Sequence, residues 1–406
     1  MTEPKTETKS LKGFNTIAAQ TYSDDKKGNR PLSIPIVAAT TYQVDSSERH
    51  GELYKEIADT FYARIGNPTR TAAAKKIAKL EGAEEALIFS SGMGAITTSL
   101  MSILYGGAHV VAQGELYAQT FSFFELLRDS FGVEVDFIDM TDLSKISELI
   151  RTNTTLIYIE SPSNPLLKIA DIRSIADIAS KSNISLFVDS TFASPYLQNP
   201  ISLGATLSLH SGTKYLGGHS DLLCGVVSGN KLVIEKILQT QLLLGTILDP
   251  HSCWLLLRSI KSLGIRVQAQ CDTALKLAEF LEDRPEIIVV NYPWLPSSPY
   301  YDLARKQMRG GGGVISFEVK GGLTGARSFV DALKLIPIAT SLGGLESVIE
   351  IPSELKFARE KTEDAIYDMG VKSNLIRLSV GIEDFEDLKA DLAIGLSALN
   401  KIDLTP

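Results

Sequence analysis

The sequence predicts an α/β protein: a large domain built on a mostly parallel sheet, then a smaller C-terminal α/β unit. Two observations carry that expectation. Between Ala86 and Ser228, short apolar runs alternate with helical stretches, the pattern of βα units feeding a parallel sheet. After a long helical stretch, strand-like runs return from Ile287 onward. A chain of 406 residues has room for two or three domains with cores of their own.

Residues 1–62 hold few periodic apolar segments and many turn formers, Asn29-Arg30-Pro31 and Ile34-Pro35 among them. A segment of that length without a core is disordered or an arm lying on something else. From Ala72 to Leu80 the spacing of Ala, Ile and Leu predicts a helix. Candidate strands follow at Ala86–Phe89, His109–Ala112, Val133–Ile138, Leu156–Glu160, Leu186–Asp189, Thr206–His210 and Gly225–Ser228. Ligands of such sheets sit at the carboxyl ends of the strands, where the polar residues of this chain cluster. After Leu232 a helical pattern runs to about Glu282, broken near Thr246–Pro250. The smaller unit has candidate strands at Ile287–Tyr292, Val314–Val319 and Leu375–Val380. Gly310–Gly313 precedes a strand instead of joining a strand to a helix, so it reads as a turn and not as a phosphate loop. The expected division is an arm over 1–62, a cofactor domain over 63–255 and a C-terminal domain over 256–406.

Apolar residues make up 44% of the chain and charged residues 22%, which indicates a globular protein and not a disordered one. A net charge of -8 with scattered Lys and Arg argues against nucleic acid or an anionic membrane as partner. The three cysteines, Cys224, Cys253 and Cys271, cannot all pair within the chain. Their apolar surroundings suggest buried thiols in a reducing compartment. The opening Met-Thr-Glu-Pro-Lys lacks the apolar segment of a secretory signal, and no window approaches a membrane span, so a cytoplasmic location is expected. His210 and His219 have no second Cys or His at ligand spacing, and no metal site is expected. A nicotinamide fingerprint is also absent.

The segment Ser208–Asp221 carries the chemistry. Lys214 stands between short hydroxyl residues, Ser211 and Thr213, and the glycines Gly217 and Gly218. A desolvated lysine loses its proton near neutral pH and condenses with carbonyls. Nearby hydroxyls suit a phosphate, and pyridoxal phosphate carries both an aldehyde and a phosphate. That cofactor requires an amine anchor, a phosphate cradle, a partner for the ring nitrogen and a grip on the substrate carboxylate. Ser90-Ser91-Gly92-Met93-Gly94-Ala95 lies between a strand and a helix, where free N–H groups and the helix dipole favour an anion. Such junctions also occur without any ligand. Asp189 ends an apolar strand, where burial demands a partner; a ring N–H or a simple turn would serve. Tyr117 is a candidate to stack on the ring, or a core residue. Arg377, within Leu375-Ile376-Arg377-Leu378, is a candidate for bidentate binding of a carboxylate.

In this order the pieces resemble the Cys/Met-metabolism family of pyridoxal-phosphate enzymes, which includes cystathionine γ-synthase, cystathionine γ-lyase, methionine γ-lyase and the O-acylhomoserine sulfhydrylases. The resemblance runs from about Phe14 to Ile394. It rests on Tyr62-Ala63-Arg64-Ile65-Gly66-Asn67-Pro68-Thr69, Ser91-Gly92-Met93, Glu160–Pro165, Asp189-Ser190-Thr191-Phe192, Ser211–Asp221, Ser341–Glu346 and Arg377–Glu383. It implies a fold type I PLP-dependent transferase-like architecture and a homotetramer of two close dimers. Lys214 is then the Schiff-base lysine and proton shuttle, Asp189 the ring-nitrogen partner, and Tyr117 the stacking residue that helps activate substrate. Gly92, Met93, Ser211 and Thr213 hold the phosphate, with Thr191 near the ring. Tyr62 and Arg64 reach the phosphate of the neighbouring subunit, which accounts for the arm. Asn164, Ser341 and Arg377 bind the substrate end.

The implied reaction is γ-elimination from a sulfur amino acid, giving 2-oxobutanoate, ammonia and a thiol. The alternative is γ-replacement on an O-acylhomoserine. Enzymes of cystathionine commonly have a glutamate where this chain has Thr340, and an arginine where Ser122 follows Gln119-Thr120-Phe121. Methionine γ-lyases share the Thr-Phe pair but usually have cysteine at Gln119 and a Lys-Asp pair near Gln241-Leu242. Thr340 and Gln119 are therefore expected to line the substrate pocket, and γ-elimination is the favoured reading.

Overall fold

The structure is a computed structural model that describes residues 13–20, 29, 31–357 and 370–401. Eleven strands form two sheets. The larger contains β1 (Glu85–Phe89), β2 (His109–Gln113), β3 (Glu134–Ile138), β4 (Thr154–Glu160), β5 (Ser185–Asp189), β6 (Leu207–Ser211) and β7 (Gly225–Gly229), in the order β1-β7-β6-β5-β4-β2-β3. Strands β2 to β6 run parallel, and β7 lies antiparallel to both β1 and β6. All the candidate strands of the large domain are present.

Both faces of this sheet are covered, so its strands read as unbroken apolar runs. In β5, Phe187 faces a core shared with helices Gly92–Ile103, Ala118–Phe131 and Lys231–Leu244. Its neighbours Leu186 and Val188 face the opposite core, with Ile172, Ile175 and Ala179 of helix Ile172–Lys181. In the central strands β4 and β5 the acidic groups Glu160 and Asp189 accordingly stand at the strand ends.

The second sheet contains β8 (Ile287–Asn291), β9 (Val314–Val319), β10 (Val348–Glu350) and β11 (Leu375–Ser379), in the antiparallel order β10-β11-β9-β8. The short strand β10 is an addition to the sequence reading. One face packs on helices Leu263–Glu282, Gly322–Ala332 and Phe385–Leu399 through Ile315, Phe317, Ile349, Ile376 and Leu378. The alternate positions Ser316, Glu350, Arg377 and Ser379 are buried and polar. The period of two in a strand puts all four on the other face.

The arm is more structured than its composition suggests. Helix Phe14–Ala19 buries Ala18 in the large-domain core and sets Phe14 edge-on to Tyr196. Lys76 donates to the carbonyls of Ile17 and Ala18 at 2.7 and 3.3 Å, meeting the helix end where carbonyls lack partners. Helix Ser47–Lys55 follows, capped by the Ser46 hydroxyl. Asn67 accepts from the N–H groups of Thr69 and Arg70, Pro68 occupies the first turn of helix Pro68–Glu81, and Gly82 closes it at φ 65°. The long helical region breaks between Leu244 and Pro250, and a second time between Ile260 and Leu263. Gly311 lies where a Cβ would stand 2.5 Å from the Tyr292 ring, and Gly312 has φ 94°. Gly310–Gly313 is thus a tight turn entering β9.

Candidate active site

Strands β4, β5 and β6 end side by side, and Glu160, Asp189 and Ser211 stand at those ends. Asp189 is buried. Its Oδ1 accepts from the Thr191 N–H at 3.0 Å and from the Thr191 hydroxyl at 2.5 Å. Burial raises its carboxyl above the ordinary range, against the two Thr191 hydrogen bonds and the attraction of His210. Among the described residues Oδ2 accepts no hydrogen bond, so one oxygen of a costly buried carboxylate is left for a cationic N–H donor.

Beyond β6 the chain turns through Gly212 to Lys214. Thr213 is clamped to Cys224: its hydroxyl accepts from the Cys224 N–H at 3.0 Å and faces the Cys224 carbonyl at 3.3 Å. The Ser211 N–H donates to the Thr191 hydroxyl at 2.8 Å. Lys214 Nζ donates to Ser341 Oγ at 2.7 Å. Burial, helped by the like charge of Arg377 and opposed by Glu350, lowers the Lys214 ammonium from 10.5 to about 8. The amine is partly neutral at physiological pH.

Helix Gly92–Ile103 points its N-terminus at this turn. Ser91 caps it by accepting from Gly94 N–H at 2.9 Å. The N–H groups of Gly92 and Met93 have no acceptor among the described residues. A Cβ on Gly92 would stand 2.9 Å from the Ser211 Cβ, so only glycine lets the helix end approach Ser211 this closely. Tyr117 begins helix Ala118–Phe131, its N–H held by Glu160 at 2.9 Å and its ring partly exposed.

The polar face of the small sheet closes the site. Arg377 is buried and donates from Nη1 to Asn164 Oδ1 at 2.9 Å and from Nη2 to the Ser341 carbonyl at 3.0 Å. Its Nη2 also pairs with Glu350 Oε1 at 2.9 Å. Ser341 is held at φ 91°, a conformation that costs about 1–3 kcal/mol and clusters at functional sites. Its carbonyl takes Arg377 and its hydroxyl takes Lys214, so one strained residue ties the amine to the guanidinium.

Lys214, Asp189, Thr191, Ser211, Thr213, Gly92, Ser341, Arg377 and Asn164 thus converge, with Met93 and Tyr117 at the adjoining helix starts. Gln119 is half-buried one turn into the Tyr117 helix, and Thr340 is exposed beside Ser341. Tyr62 and Arg64 lie apart from this cluster. Arg64 donates to the Leu242 carbonyl at 2.7 Å and covers the half-exposed Tyr62 ring at 5.6 Å. Gln241 is buried, with its amide on the Ile88 carbonyl at 2.7 Å. His210 pairs with buried Glu81 at 2.5 Å, and His219 contacts the Gly217 carbonyl and Ser259. The sequence reading does not name Glu350, and it includes Glu160 only as the first residue of a motif. The signal for Glu350 was the one that marks Arg377, a charged residue within the apolar text Val348-Ile349-Glu350-Ile351.

The donor set fits pyridoxal phosphate: free helix N–H groups and the Ser211 hydroxyl for a dianion, an open buried carboxylate oxygen for a ring N–H, and a desolvated amine for an aldehyde. Comparison with known proteins agrees. The family model described as "Cys/Met metabolism PLP-dependent enzyme" matches residues 15–397. L-methionine gamma-lyase of Pseudomonas putida is 40% identical over 391 residues, covering 96% of this chain and 98% of that protein. Cystathionine gamma-lyase of Bacillus subtilis (strain 168) is 41% identical over 374 residues, 92% of this chain and 96% of that protein. The crystal structure of cystathionine gamma-lyase from Lactobacillus plantarum complexed with L-serine superposes with a TM-score of 0.89 at 36% identity, covering 96% of this chain and all of that one (100%).

Proposed function

The chain belongs to the Cys/Met metabolism PLP-dependent enzymes, and from that membership we propose that it catalyses γ-elimination on a sulfur amino acid of the methionine or cystathionine type. The products are 2-oxobutanoate, ammonia and a thiol. The observation that carries the reading is Ser341, which joins Lys214 to Arg377 and so fixes an amine and a carboxylate grip as one unit.

Bound pyridoxal phosphate supplies an electron sink conjugated with the α-carbon of the substrate. Lys214 provides the amine that holds its aldehyde. Gly92 and Met93 N–H groups with the Ser211 and Thr213 hydroxyls hold the phosphate, and Asp189 Oδ2, oriented by Thr191, keeps the ring nitrogen protonated. Arg377, oriented by Asn164, takes the substrate carboxylate and turns the Cα–H toward the active-site lysine. The burial that lowers the Lys214 ammonium would also let its free amine serve as the base that takes the α-proton and returns it. Tyr117 would stack on the ring and help activate the substrate. Tyr62 and Arg64 serve the phosphate of a neighbouring subunit in a homotetramer; their exposure away from the cluster supports this. The arm over 1–62, the cofactor domain over 63–255 and the C-terminal domain over 256–406 are retained as the working division. The acidic chain and its three buried thiols suit a cytoplasmic enzyme.

An uncharged Thr340 favours elimination from a short substrate over recognition of a distal ammonium. The glutamines at 119 and 241 depart from the methionine γ-lyase pattern, and γ-replacement on an O-acylhomoserine is the second reading. Release of 2-oxobutanoate from L-methionine and from L-cystathionine separates the two, with and without an O-acylhomoserine plus cysteine. Rapid release from either amino acid alone supports the lyase. Slow release from both with fast cystathionine formation means γ-replacement.

A further inference from the structure

Glu350 and Arg377 face each other directly across β10 and β11, on the polar side of the small sheet. Both are buried. Their neighbours Ile349, Ile376 and Leu378 are locked in the apolar core, so neither strand can rotate its charge away. The pair nevertheless closes through one contact only, Nη2 to Oε1 at 2.9 Å. Among the described residues, Arg377 Nε and Glu350 Oε2 are both buried without a partner. An arginine and a carboxylate of purely structural purpose would join through two parallel bonds, and an unsatisfied buried group is costly. The open Nε–H is a donor kept for a ligand, and Glu350 is a fixed anion beside it.

We propose that Glu350 is a specificity-determining residue: as the internal counter-anion of Arg377, it weakens the hold on any lone carboxylate. Tight binding then requires a ligand that also engages the Lys214 end of the site. A bare guanidinium in this buried position would collect short carboxylic acids from the medium, including the 2-oxo acid product. With Glu350 in place the guanidinium charge is already met, and an incoming carboxylate gains hydrogen bonds but little net attraction. Arg377 meets Lys214 through Ser341, so the amine end supplies the affinity that the carboxylate end withholds. This inference rests on Arg377 as the substrate-carboxylate site.

The test uses the holoenzyme with propanoate as a competitive probe beside the KM for L-methionine or L-cystathionine, whichever turns over. Glu350→Gln preserves size and the Nη2 contact while removing the charge. The propanoate inhibition constant and KM are expected to fall by about fivefold or more, with kcat changed far less and cofactor absorbance and melting midpoint preserved. Glu350→Asp keeps the charge and is expected to keep propanoate binding weak. Unchanged or weaker propanoate binding in Glu350→Gln overturns the inference, as does tight binding in Glu350→Asp. Arg377→Lys separates the two levels. If it binds propanoate as the parent does, Arg377 is not the carboxylate site, and both readings fall. If it loses propanoate while Glu350→Gln changes nothing, only the role of Glu350 falls.

Discussion

The two sheets contribute to the site in different ways. In the seven-stranded sheet both faces are apolar, and functional groups stand at strand ends and in the loops beyond: Glu160, Asp189, Ser211, Lys214. In the four-stranded sheet only one face is apolar, and functional groups stand within the ladder on the polar face, Arg377 in mid-strand and Glu350 directly across from it at the end of β10. A strand end can bend a residue toward a ligand by loop geometry. A mid-strand residue is fixed by register, so its partner across the ladder is fixed with it. The first arrangement is suited to groups that move protons and bonds, the second to groups that hold substrate still.

That contrast predicts different kinetic signatures. The largest effect belongs to Lys214→Ala. Turnover should fall by about 10²–10⁴-fold or more, and the visible absorbance of the bound cofactor should disappear; a mutant that stays yellow and active would dismiss the strand-end assignment. Arg377→Lys should differ in kind. The ammonium keeps Glu350 paired, but it cannot reproduce the fork, so KM should rise by about 10–100-fold while kcat changes much less. A fall in kcat with KM unchanged would show that the mid-strand residues are not holding groups.

The pH dependence of cofactor uptake isolates the strand-end side. Lys214 titrates at about 8 because burial and Arg377 disfavour its charge. Below that pH the ammonium cannot attack an aldehyde. The rate at which apoprotein regains its visible absorbance should therefore climb about tenfold per pH unit and level off near 8; an unperturbed lysine would keep the rate climbing beyond 10. Stability has the same sign. Between about 8 and 10.5 the unfolded chain holds a proton that the folded chain has lost, so apoprotein gains stability as pH rises through that window. Stability falling across it would contradict the desolvated amine.

The same contrast explains what the sequence disclosed. Apolar runs ending in a single charge, as in Leu186-Phe187-Val188-Asp189, announce both the strand and its functional end, and the lysine motif follows β6 directly. The polar face of the small sheet was legible at Arg377 because that arginine interrupts apolar text. Glu350 was overlooked because β10 has three residues, too few to show alternation. Its significance also lies in a partner 27 residues further along that only register identifies. Helix Phe14–Ala19 could not be read from the sequence for a related reason. Helix Phe14–Ala19 has 6 residues, below the length at which periodicity speaks, and it is secured by Lys76 from a distant helix. Tyr62 and Arg64, matched by motif alone, make no hydrogen bond to the cluster among the described residues.

The smallest effect gives the closest control on the comparison, because it uses the same side chain in both sheets. Ser228 on β7 is fully buried, and its hydroxyl has no partner among the described residues. Ser379 on β11 is equally buried, but its hydroxyl accepts from the Gly343 N–H at 3.0 Å, two residues from Ser341. Gly343 has φ 74°, and a Cβ there would stand 2.8 Å from the Tyr215 nitrogen, so that loop depends on glycine and on this bond. Ser228→Ala removes an unsatisfied polar atom and should leave the melting midpoint unchanged or slightly raised. Ser379→Ala strands a buried N–H and should cost about 1–3 kcal/mol, seen as a lower midpoint. It should also raise KM, since the loop that holds Ser341 against Lys214 and Arg377 loses its tether. Equal effects on stability and KM from the two substitutions would mean that the polar face of the small sheet is packing and not part of the grip on substrate.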